Sequence, residues 1–391
     1  MIDVARARAE TPGCAEVLHF NNAGAALMPA PVLDAVKTHL DLEARIGGYE
    51  AADREQARWE RVYDAAAALL GAQRDEIACV ESATRAWDMA FYAIPLAAGD
   101  RILTARAEYV SNYLAFLQVT RRTGAVVDVV PSDESGQLDV DALRRMMDAR
   151  VRLVAVTHAP GNGGLINPVE EIGRVTREAG VLYLVDACQS IGQLPLDVER
   201  IGCDFLSATG RKYLRAPRGT GLLYVRRSVL PRLEPPFVDG HAATWTRRDA
   251  FEWRAGARRF EHWETNYATR IGLAVALDYA RGWGMDAIWE RVRTLGARLR
   301  ERLAAIGGVT VHDIGRVKGG IVTFTVADRD PHALRTALKA QRINVNVSTI
   351  EWTRLDMEAR HLERLLRASV HYYNTEDEIA RFAEAIEALA R

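Results

Sequence analysis

Two short segments of this chain carry residues that could do chemistry together. Asp186 closes an apolar run, Val181-Leu182-Tyr183-Leu184-Val185, and opens Asp186-Ala187-Cys188-Gln189. Lys212 stands in Thr209-Gly210-Arg211-Lys212, just ahead of a second apolar run, Gly221-Leu222-Leu223-Tyr224-Val225. A carboxylate can hold a heteroaromatic ring nitrogen protonated, and an amine can form a Schiff base with an aldehyde. The pair suits pyridoxal phosphate. A solvated Asp and a solvated Lys at two strand ends would be spelled the same way.

The elements around these residues alternate. Strand patterns fall at 77–80, 101–104, 126–130, 151–157 and 181–185. Helical patterns fall at 32–46 and 53–70, from Thr84 onward, through Arg121 to a stop at Gly124, and at 169–179. Such alternation implies an α/β fold with a mostly parallel sheet covered on both faces. Ligands of these sheets sit beyond the carboxyl ends of the strands, which is where Asp186 falls. From Tyr267 the pattern changes to a long helical run ending at Ala304, broken by Gly282-Trp283-Gly284. Short strands at 319–326, 343–347 and 368–372 then mix with helices at 332–340 and 375–390, as in a smaller α+β domain. The expected division is an arm at 1–25, a large domain at 26–266, a connecting helix at 267–284 and a small domain at 285–391.

Length and composition agree with two domains. The chain has 391 residues, 49% of them apolar and 26% charged. Its formal net charge of −1 carries no footprint for nucleic acid or an anionic membrane. No apolar run is long enough to span a bilayer, and the first residues lack the apolar core of a secretory signal. The four cysteines (Cys14, Cys79, Cys188, Cys203) are scattered, and no HExxH or CxxC spacing occurs. Disulfides and a metal site are not expected, and a cytoplasmic setting fits. A nicotinamide-binding fold should show GxGxxG after its first strand; Gly161-Asn162-Gly163-Gly164 lacks that spacing.

Five segments together resemble the class-V aminotransferase family, the fold-type-I pyridoxal-phosphate enzymes that include cysteine desulfurases, C–S lyases and isopenicillin-N-epimerase-like proteins. They are Asn21-Asn22-Ala23-Gly24; Thr157-His158-Ala159-Pro160-Gly161-Asn162-Gly163-Gly164; Asp186-Ala187-Cys188-Gln189-Ser190; Gly210-Arg211-Lys212 ahead of Pro217-Arg218-Gly219-Thr220-Gly221; and Arg367-Ala368-Ser369-Val370-His371-Tyr372-Tyr373-Asn374-Thr375. The resemblance covers nearly the whole chain. It implies a seven-stranded, mostly parallel sheet in the large domain, pyridoxal 5'-phosphate as cofactor, a small amino-acid substrate and a homodimer with shared active sites.

The resemblance also implies roles. Lys212 holds the cofactor as a Schiff base and, once displaced, serves as base at the substrate Cα. Asp186 pairs with the ring nitrogen, and Gln189 with the ring's phenolate oxygen. Ser82, Ala83 and Thr84 lie at a helix start that suits a phosphate. Thr209 and Arg211 complete the phosphate shell; desulfurases usually place His where Arg211 stands. Tyr109 stacks on the cofactor ring, a place held by His in desulfurases. Arg367 binds the substrate carboxylate as a bidentate fork. Asn22, Tyr49, His158, Asn162 and His241 are further pocket residues; Asn22 could equally belong to a turn, and His158, Asn162 and His241 could each equally be a structural polar group. Thr265 lies where the family sends a phosphate contact into the neighbouring subunit's site, although Trp263-Glu264-Thr265-Asn266 departs from the usual Gly-Thr-Pro-Asn. Cys188 reads as a packing cysteine rather than a nucleophile.

Desulfurases accept sulfur on a mobile cysteine of the small domain. The corresponding loop here reads Asn344-Val345-Asn346-Val347-Ser348-Thr349-Ile350-Glu351-Trp352, and no cysteine follows Cys203. A persulfide-forming desulfurase is therefore not expected, and Gly47-Gly48-Tyr49-Glu50 with the Gly161-Asn162-Gly163-Gly164 loop is most similar to the C–S lyase and epimerase-like branch, so the expectation is β-elimination by a C–S lyase on a cysteine-derived thioether or sulfoxide. A transaminase or an epimerase-like racemase is the alternative.

Overall fold

The computed structural model describes residues 1–391. Its larger sheet has seven strands. Their spatial order is Ile77–Val80, Gly221–Val225, Phe205–Thr209, Leu182–Asp186, Val151–Thr157, Arg101–Ala105, Val126–Val130. Pairing is parallel except around Gly221–Val225, which runs antiparallel to both of its neighbours. Leu182–Asp186 is the central strand.

Its pleat explains the two cores. Tyr183 and Val185 pack with Val154, Val156, Leu206 and Ala208 on one face, together with Val62, Ile172 and Leu277 from three helices. Leu184 packs on the other face with Leu153, Ala155, Phe205 and Leu223, against Trp87, Phe91 and Phe116. The period of two sends alternate side chains to opposite layers, so strands this apolar are buried on both sides.

Helix ends follow from local chemistry. Val110–Thr123 stops at Gly124, whose left-handed φ of 77° is open to glycine at no steric cost. The expected helix over 53–70 is two, Gly48–Arg54 and Gln56–Leu70, interrupted at Glu55. The run from Tyr267 divides into Tyr267–Trp283 and Met285–Ala304 at Gly284. Thr375 caps the last helix, Glu376–Ala390, in a reciprocal capping box with Glu378. Such a cap contributes about 1 kcal/mol.

A second, four-stranded antiparallel sheet has the order Val309–Val311, Ile321–Val326, Arg364–Ser369, Asn346–Thr349. Met285–Ala304 and Glu376–Ala390 supply Leu295, Leu299, Phe382 and Ile386 to its core. Residues Leu18–His19 form a separate parallel pair with Ile343–Asn344, and a bridge from Asn21 to Ser369 stitches the N-terminal segment to the four-stranded sheet.

Three local expectations change. The strand expected at 368–372 is Arg364–Ser369, which puts Arg367 inside the strand, opposite Asn346 and Thr323. Residues 371–374 instead form a turn in which Asn374 Oδ1 accepts from the His371 N–H at 2.8 Å. The sequence reading also missed the helix Val140–Met146 and the hairpin of Ala243–Arg247 with Ala250–Trp253. That hairpin is largely exposed, so it lacks the apolar alternation that marks a half-buried strand.

Candidate active site

The carboxyl ends of the central strands and the edge of the smaller sheet enclose one cavity of about 250 Å³. Ala23, Gly24, Ser82, Ala83, Thr84, Tyr109, Asp186, Gln189, Thr209, Arg211, Lys212 and Arg367 all line it. Ten of the sequence-selected site residues thus converge from both sheets.

Asp186 is the last residue of the central strand, and both of its carboxylate oxygens are held. The Cys188 N–H donates to Oδ1 at 2.8 Å, and Asn112 Nδ2 donates to Oδ2 at 3.0 Å. Burial nevertheless raises its pKa, and these hydrogen bonds with Lys212 offset that only in part. Lys212 is shifted the opposite way: burial lowers its pKa, and Arg211 and Arg367 add to the effect. The neutral amine is the form that can attack an aldehyde or accept a proton, and the downward shift favours it.

The turn bearing Lys212 is tightly folded. The Arg215 N–H donates to the Lys212 carbonyl at 2.9 Å, and the Ala216 N–H to the Gly210 carbonyl at 2.9 Å. The Arg211 guanidinium bonds the Gly24 carbonyl, and the Ala26 N–H returns to the Arg211 carbonyl at 3.0 Å. Gln189 Nε2 holds the Ala23 carbonyl at 3.0 Å. The N-terminal loop is thereby clamped over the lysine turn.

The helix Ala83–Phe91 starts at the cavity. Ser82 is its N-cap, and its hydroxyl accepts from the Arg85 N–H at 3.1 Å. Ala83 and Thr84, the first residues of this helix, line the cavity, and the free N–H groups of a helix start suit an anion. Gly221 is required beside it. A Cβ there would lie 2.5 Å from the Ser82 carbonyl carbon.

Tyr109 is the N-cap residue of Val110–Thr123. Its ring faces Trp352 at 6.4 Å between centroids with planes 9° apart. Trp352, Asn346, Val347, Ser348 and Thr353 bring the loop of the smaller sheet into the wall. Arg367 Nη1 donates to the Gly161 carbonyl at 2.9 Å.

The cavity thus gathers three basic side chains, Arg211, Lys212 and Arg367, around one carboxylate, and its two guanidiniums favour anionic groups. Two buried atoms, Gln189 Oε1 and Arg367 Nε, have no partner within the chain. An unpaired buried acceptor and an unpaired buried donor are costly, and they mark where a bound molecule completes the bonding. A phosphorylated, hydroxyl-bearing pyridine and an amino-acid carboxylate supply the matching groups.

Six of the selected residues lie elsewhere. Asn22 is fully buried and structural: its Nδ2 donates to the Ser369 carbonyl at 2.7 Å, and its Oδ1 accepts from Tyr373. His158 lines a different groove, with Ile166 and Asn167, and burial pushes its imidazole pKa down to about 4. Asn162 is spent on Asp356, to which it donates at 2.6 Å. His241 sits 3.2 Å from Glu261 and beside Arg254, in a polar cluster outside the cavity. Tyr49 and Thr265 line a separate open groove with Trp263 and Asn266, so neither touches this chain's own cavity.

Sequence reasoning missed Glu108 and Asn112. They stand four residues apart around Tyr109 at a helix start, and that spacing was the available signal. Glu108 accepts from the Tyr109 N–H at 2.8 Å, from Asn112 at 2.8 Å, from the Thr157 N–H at 3.0 Å and from the Thr157 hydroxyl. It also placed Cys188 in the packing, whereas Cys188 lines the cavity.

Comparison with known proteins decides the family. The model of class-V aminotransferases matches residues 18–382. The chain belongs to the class-V aminotransferase family. A probable cysteine desulfurase of Xylella fastidiosa is 32% identical over 95% of this chain and 90% of its own length. The apo cysteine desulfurase of Thermococcus onnurineus superposes with a TM-score of 0.93 at 26% identity, covering 100% of this chain and 98% of its own. A C-DES mutant with glycine covalently linked to its PLP cofactor shares the fold, with a TM-score of 0.87 at 24% identity over 97% of this chain and 98% of its own.

This class-V enzyme has the fold-type-I architecture and uses pyridoxal phosphate. The expectation of a C–S lyase that is not a desulfurase is corrected. The exclusion rested on the missing loop cysteine and the lyase preference on the spelling around Gly47–Glu50 and Gly161–Gly164, yet the relatives matched over nearly the full chain are named cysteine desulfurases.

Proposed function

We propose that this class-V enzyme removes sulfur from cysteine, as its relatives named cysteine desulfurases are described as doing. The observation that carries the reading is the convergence of Lys212, Asp186 and Arg367 on one cavity in a chain that follows a cysteine desulfurase from end to end.

When bound, pyridoxal phosphate supplies an electron sink for charge developing at the substrate Cα and Cβ. Lys212 is the residue that would hold it covalently, Asp186 its ring nitrogen, and Ala83, Thr84, Thr209 and Arg211 its phosphate. The remaining work falls to side chains. Arg367 grips the substrate carboxylate and fixes the direction of the Cα–H bond. Lys212, its charge disfavoured by burial, takes the Cα proton and can return it. Asn112 and the Cys188 N–H orient Asp186. Tyr109 and Trp352 narrow the mouth and exclude water.

A homodimer in a cytoplasmic setting belongs to the same reading. Tyr49 and Trp263 are 75% and 60% exposed in the groove that holds Thr265, a surface suited to a second copy. No helix is long and apolar enough to cross a membrane.

The test is product analysis with L-cysteine and the cofactor-loaded enzyme. Alanine and sulfide appearing together support the reading. Consumption to pyruvate, or no consumption, overturns it.

A further inference from the structure

The cavity that gathers Lys212, Asp186 and Arg367 is small. At about 250 Å³ it falls below the ~300–1,000 Å³ of sites that take drug-sized ligands, and cofactor and substrate must share it. The substrate's side chain is therefore limited by the wall. Tyr109 and Trp352 are the only aromatic residues lining it, and their rings run nearly parallel, 6.4 Å between centroids. Trp352 ends the short turn Ile350–Trp352, which follows the strand Asn346–Thr349 of the smaller sheet. It lines the cavity while 49% exposed, so it stands at the boundary between cavity and solvent.

The helix that follows, Arg354–Ala359, fixes this segment. It carries Asp356, which is buried. One carboxylate oxygen, Oδ2, accepts from Asn162 Nδ2 at 2.6 Å and from Arg360 Nη1 at 2.9 Å. Arg360 also donates to the His312 carbonyl. Asn162 belongs to the loop after the strand Val151–Thr157 of the larger sheet, and its neighbour Gly161 lines the cavity and accepts from Arg367. The Asn162–Asp356 bond thus ties the segment bearing Trp352 to the larger sheet, beside the residue that grips the substrate carboxylate. Pulling the two apart would strand a buried carboxylate and a buried amide, which holds the tie closed.

We propose that Trp352 is a specificity-determining residue: it excludes amino acids with large side chains, and Asp356 positions it through Asn162. The inference deepens the reading above by naming which side chains the pocket admits. It rests on the pocket binding amino acids, not on which bond of the substrate is broken. A single misfit methylene is worth about 10- to 200-fold in discrimination, so an indole across the mouth suffices to reject a benzyl group while passing a methyl or a CH2SH.

The test is titration of the cofactor-loaded enzyme with L-alanine and with L-phenylalanine, followed by the cofactor's visible absorption. Neither ligand carries sulfur, so binding is read apart from desulfuration. The readout is the ratio of the two dissociation constants. The wild type should hold L-alanine at least ~100-fold more tightly. Trp352→Ala should shrink that preference about tenfold or more, with a Tm near wild type because the side chain is half exposed. Asp356→Ala should shrink it in the same direction, and so should Asn162→Ala, which breaks the same bond from the other side. Asp356→Asn should keep the preference, since one amide oxygen can accept from both Asn162 and Arg360. Asp356→Ala added to Trp352→Ala should change it no further, because Asp356 acts through Trp352. An equal hold on both ligands by the wild type, or an unchanged preference in Trp352→Ala, overturns the proposal. Further loosening by Asp356→Ala when Trp352 is already gone overturns the positioning role. Pyruvate from L-cysteine, with the preference behaving as expected, would overturn the desulfurase reading and support this inference.

Discussion

Asn112 and Asp186 are joined by a 3.0 Å hydrogen bond, and the same Asn112 amide nitrogen also donates to Glu108 at 2.8 Å. One side chain therefore spends both of its N–H groups on two buried carboxylates. The Val110–Thr123 helix supplies Asn112 while the central strand supplies Asp186, so this bond sets the acid's position relative to the Tyr109 ring. Asn112→Ala should leave Asp186 with one fewer donor and Glu108 loose beside it. We expect a kcat about 10- to 100-fold lower and a weaker hold on the cofactor. Steady-state rates and cofactor titration by absorbance check this; wild-type values for both would remove Asn112 from the site.

Glu108 should make stability fall with rising pH. Burial pushes its carboxyl up to about 7 from an ordinary 4.5, against the pull of Thr157 and Asn112. The folded chain then binds a proton that the unfolded chain has released, so Glu108's contribution is complete below about pH 4.5 and is lost as pH rises through 7. Denaturant midpoints of the wild type and Glu108→Gln across this window provide the comparison. The variant should be the flatter of the two, and parallel profiles would contradict the assignment.

Lys212→Ala should lower turnover by at least ~1000-fold, since it removes both the covalent tether and the base. The anion seat at Ala83 and Thr84 remains, so the variant should still bind pyridoxal phosphate, without a borohydride-sensitive visible band. Retention of that band would show that another amine holds the aldehyde.

Arg367→Ala should raise KM and lower kcat together, each by roughly tenfold or more, because one contact both binds and orients the carboxylate. Arg367→Lys should restore little, since an ammonium cannot offer the bidentate fork. If KM for cysteine is unchanged, Arg367 does not touch the substrate.

Arg215 ties the lysine turn to the N-terminal segment and to Tyr372. It is buried at a left-handed φ of 60°. Its guanidinium donates to the Leu27 carbonyl at 2.8 Å, to the Tyr372 hydroxyl at 2.6 Å and to the Thr11 hydroxyl, and lies 4.5 Å from the Tyr373 ring centroid. Arg215→Met strands these acceptors, at a cost of about 2–4 kcal/mol. Differential scanning calorimetry should show a Tm several degrees lower, and an unchanged Tm would argue that the contacts are dispensable.

Much of this arrangement was legible in the chain itself. The apolar run ending in Asp186 had to be an inner strand, because a run buried on both faces leaves its polar residue only at the end. Thr375 and Glu378 announced their helix because capping is a local interaction. Ten of the residues that line the cavity were found through short motifs whose chemistry needs particular side chains. Tertiary structure decided what local spelling could not. His158 and Asn162 sit in the same motif as Gly161, yet only the backbone of Gly161 meets Arg367, since neighbouring residues of a loop face different ways. Asn22 is absorbed by Ser369 and Tyr373, more than three hundred residues away. Glu108 gained its importance from Thr157, on another strand. Residue type and short-range period are properties of the chain, whereas burial and the partners that shift a proton arise only when distant segments pack together.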